Sequence, residues 1–188
     1  GDGRGRVGAE GRRARARGPG RARGAMFAGE ARMLETSVKV AAVRSVLAAN
    51  GLTAVRLRGT DWFAWITGGG SSVVLMTQAV GVAEVLITGR DAWVLTDTIE
   101  AERLAAEEVP EVLPIWSHPW AAPGRREEFV SRCCDGGMVA SDRPTGVEVA
   151  LPPTLVHARW SLGEAEIERY RGLGGAAVGF CIGAFSRA

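Results

Sequence analysis

The sequence predicts an α/β domain in which a mixed β-sheet is flanked by helices. Short apolar runs with the composition of strands follow one another between residues 54 and 95, and turn-forming residues separate them. Segments with the spacing of amphipathic helices come before and after these runs. Several consecutive strands followed by interspersed helices favour a mixed sheet over a strict βαβ repeat. Hydrophobic residues make up 46% of the 188-residue chain, which is enough to build a core.

The predicted elements are strands bounded by turns, with helices at both ends of the series. A helix at 35–49 comes first, because apolar residues recur there at helical spacing and Asn50-Gly51 forms a stop. Strands are then predicted at 54–58, 62–67, 73–76, 82–88 and 92–95. Asp97 is expected to begin a helix with Glu100 as its capping-box partner. The remaining predictions are a strand at 111–116, a helix at 124–132, a strand at 138–141 and a helix at 164–171.

The beginning of the chain differs in composition from the rest. Residues 1–25 carry eight arginines and two acidic residues, or +6, so the remaining residues carry −4. This Gly/Arg/Ala sequence is too poor in apolar residues to build a core, so residues 1–33 are predicted to be a disordered tail. A nucleic-acid-binding tail is an alternative, disfavoured because no aromatic residues interleave with the arginines. A transit peptide, or upstream sequence translated ahead of a start at Met26 or Met33, are further alternatives.

No catalytic constellation is visible among the residues. GRGRVG at 3–8 matches a dinucleotide fingerprint, but no strand can precede it and no helix can follow it. The glycines at 68–70 lack the Lys-Ser/Thr of a phosphate loop, and predict a hairpin turn instead. The two histidines, His118 and His157, have no carboxylate or cysteine at ligand spacing, and each is expected to be a polar residue outside any site. No catalytic, cofactor-binding or metal-binding residue is therefore assigned.

The composition also bears on the solvent exposure of one helix, on the redox state of the cysteines and on membrane insertion. The acidic residues between 97 and 108 alternate with apolar ones, which is typical of the solvated face of a helix. Three cysteines without disulfide or zinc spacing indicate a reduced, cytoplasmic protein. No run of about 20 apolar residues is present, so no membrane span is expected.

Three segments occur in the order found in one known family. They read DWFAWITGGGSSVVL at 61–75, GVAEVLITGRDAWVLTDTIEAERLAAEEV at 81–109, and MVASDRPTGV followed by LVHARWSLGEAEIERYRGLG at 138–174. In this order they resemble the N-terminal domain of the creatinase/prolidase/Xaa-Pro aminopeptidase family, the pita-bread metallopeptidases. The resemblance implies that residues 34–160 form this domain. It also implies that residues 161–188 are a linker and the first helix of a truncated catalytic domain.

The resemblance implies a non-catalytic module that supports oligomerisation and gates the active site of a full-length protein. Two divalent metal ions would be bound by the catalytic domain, and no position of this chain can be matched to a metal ligand. Xaa-Pro peptides would be substrates of the full-length protein only, and this chain alone is expected to be inactive. A homo-oligomer is the expected partner. A stand-alone interaction domain, or nucleic-acid binding through the basic tail, is the alternative function.

Three aromatic residues, Trp62, Phe63 and Trp65, are the candidate contacts to an oligomer partner or to the mouth of a neighbour's active site. On the predicted strand, Trp62 would share one face with Ala64, and Phe63 would share the other with Trp65. One of these faces is expected to belong to the core. Past Arg171, five glycines are expected to prevent the last helix from continuing.

Overall fold

The strands form a single mixed sheet in a computed structural model that describes residues 19–75 and 77–185. The strands are β1 Ala54–Gly59, β2 Val80–Thr88, β3 Ala92–Asp97, β4 Ile115–His118, β5 Val139–Ser141 and β6 Val149–Ala150. They lie in the order β4-β3-β2-β1-β5-β6. The β1–β2 and β2–β3 pairs are antiparallel, whereas β1–β5, β3–β4 and β5–β6 are parallel. The predicted mixed sheet is therefore confirmed.

Helices cover both faces of this sheet. They are α1 Pro19–Asn50, α2 Thr60–Ile66, α3 Ala101–Arg103 with a π-helical turn at Leu104–Glu108, α4 Gly124–Cys134, α5 Pro153–Ala158 and α6 Glu164–Phe185. The larger core lies between one sheet face and α1, α2 and α5, where Val43, Phe63 and Leu155 pack on Leu57 and Val85. The smaller core lies under α4 on the other face, and the rings of Trp116 and Phe129 stack there at 4.3 Å.

The first helix begins at Pro19, well before the predicted start at residue 35. Residues 19–33 were expected in a disordered tail and are helical instead, while residues 1–18 of that predicted tail lie outside the described residues. Alanine and arginine are strong helix formers, and proline suits the first helical position. Arg32 also ties this part of α1 to the body, because its Nε donates to the carbonyl of Thr67 at 2.7 Å and its Nη2 donates to the carbonyl of Glu108.

The prediction of a strand at 62–67 is wrong, because residues 62–66 belong to α2 and Thr67 caps the end of this helix. The chain turns directly from β1 into α2, and Asp61 places a carboxylate in the first turn of the helix. Gly68 and Gly69 have φ angles of 66° and 103°, so the glycines end a helix and do not form a hairpin. The strand predicted at 73–76 is absent over residues 73–75, and Met76 lies outside the described residues.

Other boundaries differ in smaller ways. The fourth strand begins at Ile115, because Leu113 closes a turn onto the carbonyl of Pro110. Asp97 does accept hydrogen bonds from the backbone amides of Ile99 and Glu100, at 2.9 and 3.1 Å. The Glu100 side chain pairs with Arg103, however, so the predicted capping box is incomplete. The last helix continues to Phe185, so the glycines after Arg171 do not stop it.

The central strand β1 carries a buried network of charges. Arg56 and Arg58 point to the α4 side of the sheet, and both are almost fully buried. Arg56 Nη2 lies 2.7 Å from Glu84 Oε1 on β2 and 2.6 Å from Glu127 Oε1 on α4. Arg58 Nη1 lies 2.6 Å from Glu148 Oε2, in the loop before β6. The two arginines therefore tie β1 to its neighbour, to α4 and to the end of the sheet.

The network shifts the pKa values of its members. Burial disfavours the charge of Arg56, but its pairs with Glu127 and Glu84 outweigh burial and raise its pKa. The hydrogen bond from Arg56 lowers the pKa of Glu127. Burial would raise the pKa of Glu148, but the hydrogen bonds from Arg58 and from the Thr145 amide leave it lowered. These pairs therefore favour the charged forms of Arg56, Glu127 and Glu148 in the folded state.

Removal of Glu84 tests the network. In a Glu84→Ala variant, Arg56 and Arg58 lose their partner on β2, and breaking a buried pair costs about 3–5 kcal/mol. Urea unfolding is expected to show a loss of that order. The control is Glu128→Ala, an exposed position on α4, which is expected to change the free energy of unfolding by less than about 0.5 kcal/mol. Equal effects of the two substitutions would contradict a stabilising role of the network.

The lowered pKa of Glu127 predicts a dependence of stability on pH. A carboxylate with a lowered folded-state pKa adds stability above its unfolded pKa, about 4.3, and this stability is lost as pH falls through the folded pKa. Glu127→Gln is therefore expected to be less stable than the parent at about pH 7, with a difference that shrinks below about pH 4.3. Urea unfolding at several pH values measures this difference. The matched variant Glu128→Gln should show no such trend, and a difference for Glu127→Gln that stays constant would contradict the prediction.

Candidate interaction surface

The three predicted contact residues lie on α2 and are buried in this chain. Their exposed fractions are 7% for Trp62, 0% for Phe63 and 9% for Trp65. Because the segment is helical, the strand-based assignment of faces is wrong, and Trp62 and Trp65 are neighbours on one side of the helix. Their rings meet edge to face, with centroids 5.5 Å apart. All three aromatic residues, including the two indoles, belong to the large core.

Cationic side chains cover the two indoles. The guanidinium of Arg159 lies 4.5 Å from the ring centroid of Trp62 and pairs with the Asp61 carboxylate. The ammonium of Lys39 lies 5.1 Å from the ring centroid of Trp65. Cations attract the negative faces of aromatic rings, so these contacts hold α1 and the segment after α5 against α2.

An open aromatic hollow lies beside Trp65, between α2, the segment after α5 and α6. Its volume is about 550 Å³, and its lining includes Trp65, Arg159, Trp160, Leu162, Tyr170 and Leu173. Trp160 is 70% exposed and Tyr170 is 63% exposed. Large exposed aromatic side chains grouped around a concave surface are typical of interaction sites.

An ion cluster joins α1 to α6 beside Trp65, and two of its members, Glu166 and Arg169, also line the hollow. Lys39 Nζ lies 2.6 Å from Glu35 Oε1 and 2.9 Å from Glu166 Oε1, and it also donates to the carbonyl of Trp65 at 2.8 Å. Arg169 donates both terminal nitrogens to Glu35, at 2.7 and 2.9 Å. Burial would raise the pKa of Glu35, but the hydrogen bonds from Arg169 and Lys39 outweigh burial and lower it.

The far part of α6 presents apolar side chains to solvent. Leu173, Val178 and Phe180 are all exposed. Residues 172–185 contain no charged residue. Among the described residues, however, no helix is both long enough and apolar enough to cross a membrane. This part of α6 therefore adds an uncharged surface beside the aromatic hollow.

The histidines and cysteines do not form a reactive centre. His118 was expected in an exposed loop and is instead buried at the end of β4, where its Nε2 accepts a hydrogen bond from Arg126 Nε at 3.2 Å. His157 is exposed on α5, against the ring of Trp160. Burial raises the pKa of the Cys134 thiol to about 11, which disfavours the reactive thiolate. Within the described ranges, no group of three or more His, Cys, Asp and Glu side chains is placed to bind a metal ion.

The predicted contact residues lie next to the hollow, but its exposed aromatic side chains come from other segments of the chain. Trp65 lines the hollow and is buried, Trp62 is buried next to Trp65, and Trp160 and Tyr170 present the exposed surface. The available signal was the RWSL segment at 159–162, which follows a short helix that begins at Pro153, since a large aromatic residue at the end of a short helix has little core to enter. The pairing of Glu35 with Arg169 spans 134 residues and has no local signal.

Comparisons with solved structures concern the fold. An Xaa-Pro dipeptidase from Bacillus anthracis is similar with a TM-score of 0.54 at 15% identity, over 71% of this chain and 38% of that one. The prolidase from Pyrococcus horikoshii OT3 is similar with a TM-score of 0.51 at 17% identity, over 69% and 37% of the two chains. The creatinase/prolidase N-terminal domain of an X-Pro dipeptidase from Streptococcus pyogenes has a TM-score of 0.41 at 9% identity, over 55% and 75%, which is too low to add to the argument.

The present chain spans less than two fifths of the length of the first two proteins. No family model and no curated protein matches the sequence. At these identities the likeness concerns the fold alone. The chain therefore shares the fold of the matched parts of the Xaa-Pro dipeptidase and the prolidase, as the resemblance predicted.

Proposed function

We propose that this chain is the non-catalytic N-terminal module of an Xaa-Pro peptidase or creatinase-like protein, in which it supports oligomerisation and gates the active site. The observation that carries the proposal is the aromatic hollow, an exposed apolar surface around Trp160 and Tyr170 at the junction with α6. The fold of the two peptidases supports it, because this chain spans only 38% and 37% of them. The rest of such a protein would supply the catalysis.

The hollow is suited to a contact between protein surfaces. Aromatic residues are enriched at the centres of interfaces, where they provide apolar area with few rotatable bonds. Arg159 and Arg169 at its margin add groups that pair with carboxylates. Trp62 and Trp65 would support this surface indirectly, because their rings hold Arg159 and Lys39 in place. A second subunit that packs on this surface would place the hollow at the entrance to a neighbouring active site.

The chemistry of the full-length protein would lie outside this chain. Two divalent metal ions bound by a catalytic domain would activate a water molecule for hydrolysis of an Xaa-Pro bond. In the cytoplasm, the module would control access to the active site and support assembly of the oligomer. A stand-alone interaction domain would use the same hollow without a catalytic domain.

Self-association tests this proposal directly. Trp160→Ser combined with Tyr170→Ser is expected to weaken self-association of the chain at least tenfold, which is about 1.4 kcal/mol, because it removes the exposed aromatic centre. Sedimentation velocity over a range of concentrations measures the association constant. Trp120→Ser is the control, since Trp120 is also exposed and lies outside the lining of the hollow. A chain that stays monomeric, or equal effects of both variants, would contradict the proposal.

An assay of Xaa-Pro hydrolysis distinguishes a non-catalytic module from an enzyme. The purified chain is expected to show no hydrolysis of an Xaa-Pro dipeptide with or without added Mn²⁺, because a dinuclear site needs a cluster of carboxylate and imidazole ligands. Release of the free amino acid is the measured quantity. Metal-dependent turnover that follows the chain through purification and is lost in a His118→Ala, His157→Ala double variant would overturn the non-catalytic role.

A further inference from the structure

The hydrogen bonds and ion pairs between α6 and α1 are made by charged side chains. Of the side chains of α6 that the structure describes, only those of Ala165, Glu166 and Ile167 are partly buried. Among the residues whose burial the structure describes, none in the two cores comes from α6. We propose that the ion cluster of Glu35, Lys39, Glu166 and Arg169 is a releasable clasp that sets the direction in which α6 leaves the domain. The inference rests on the proposed function, in which that direction would orient the catalytic domain.

Glu35 is the centre of this clasp. Its carboxylate accepts hydrogen bonds from Lys39 of its own helix and from both terminal nitrogens of Arg169 on α6. Its side chain is only 9% exposed. Loss of the Glu35 charge would therefore leave Arg169 without this anchor and Lys39 with Glu166 as its remaining carboxylate.

The segment before α6 has the features of a hinge. Ser161, Leu162 and Gly163 are exposed, and they connect α5 and its following turn to α6. The Glu166 Oε2 atom accepts a hydrogen bond from the Gly163 amide at 2.8 Å, which fixes the first turn of α6. The other oxygen of Glu166 binds Lys39. A single carboxylate thus joins the start of α6 to the clasp.

Open space beside the clasp leaves room for α6 to move. A groove of about 590 Å³ separates α1 from α6, and its lining includes Leu34, Val38 and Ala165. Leu34 and Val38 are 67% and 61% exposed. Because protein cores are close-packed, a helix bordered by such a groove can shift without opening a core. The position of α6 then depends on ion pairs, and salt screens most strongly the pair of Glu35 with Arg169, because the Arg169 side chain is 46% exposed.

Hydrogen exchange of Glu35→Gln tests the clasp. Released from α1, the glycine-rich α6 should fray, because a helix without tertiary contacts is marginal in water. Amides 168–171 are expected to exchange about tenfold faster in Glu35→Gln than in the parent at low salt, with β1 and β2 unchanged. The matched control is Glu168→Gln, which removes a carboxylate from α6 that pairs only across 3.5 Å with Arg171 and is expected to exchange like the parent.

Salt provides the second readout. At about 1 M salt, where the screening length is about 3 Å, the parent should approach the exchange rates of Glu35→Gln, and the variant should change little. Arg169→Gln removes the same link from the half-exposed side of the pair, so it covers the case in which Glu35→Gln fails to fold. Unchanged exchange in α6, or faster exchange throughout the sheet, would overturn the clasp.

The clasp and the proposed function fail in different ways. Exchange is measured on this chain alone, so its outcome does not depend on a catalytic domain or on self-association. Release of α6 by Glu35→Gln, together with no effect of the Trp160 and Tyr170 substitutions on association, would support the clasp and contradict the proposed function. The reverse combination would contradict the clasp only.

Discussion

The fold depends on two arginines buried in its central strand. β1 lies between β2 and β5 and is buried along its whole length, yet Arg56 and Arg58 occupy one of its faces. Isolated charges could not be buried there, because desolvation disfavours them strongly. Glu84, Glu127 and Glu148 make the burial possible, and each comes from a different element. The same pairs that neutralise the arginines therefore also fix α4 and the loop before β6 against the sheet.

The end of β1 is also fixed in place, at the turn that leads to the candidate surface. The amides of Arg58 and Gly59 donate to the two carboxylate oxygens of Asp142, at 2.7 and 2.8 Å. A Cβ atom at Gly59 would lie 2.5 Å from Asp61 Oδ1 and 2.7 Å from Asp142 Oδ2, so a side chain there would displace these carboxylates. The tight turn starts α2 directly after β1. Trp62 consequently lies under Arg159, and the aromatic hollow forms where it does.

The sequence could predict the elements whose pattern is local. The strands at 54–58, 82–88, 92–95 and 138–141 and the helix at 124–132 are bounded by turn residues, and their positions are close to those observed. The segment at 62–67 was not predictable in this way, because a short apolar run with three aromatic residues fits a buried strand as well as a helix. What decided it was the turn at Gly59, which depends on Asp142, far away in the sequence.

The sequence named aromatic residues near the candidate surface, but it did not show which aromatic side chains are exposed there. Burial of Trp62 and exposure of Trp160 depend on how α5 and α6 pack, and residue types alone do not show this. The start of α1 was missed because Arg-rich composition suggested disorder, whereas Arg32 finds backbone carbonyls of α2 and the π-helical turn. In each of these cases, the structure depends on contacts between residues that are far apart in the sequence.

Two kinds of interaction divide the molecule into a rigid part and an adjustable part. The sheet, α2, α4 and α5 contribute to the two cores, where close packing permits one arrangement. Among the described side chains, α6 contributes none to these buried cores, and ion pairs of Glu166 and Arg169 join it to α1. Charge pairs between long side chains tolerate small changes in geometry that packed cores do not. The helix next to the exposed aromatic hollow is therefore the element whose position can change while the domain stays folded.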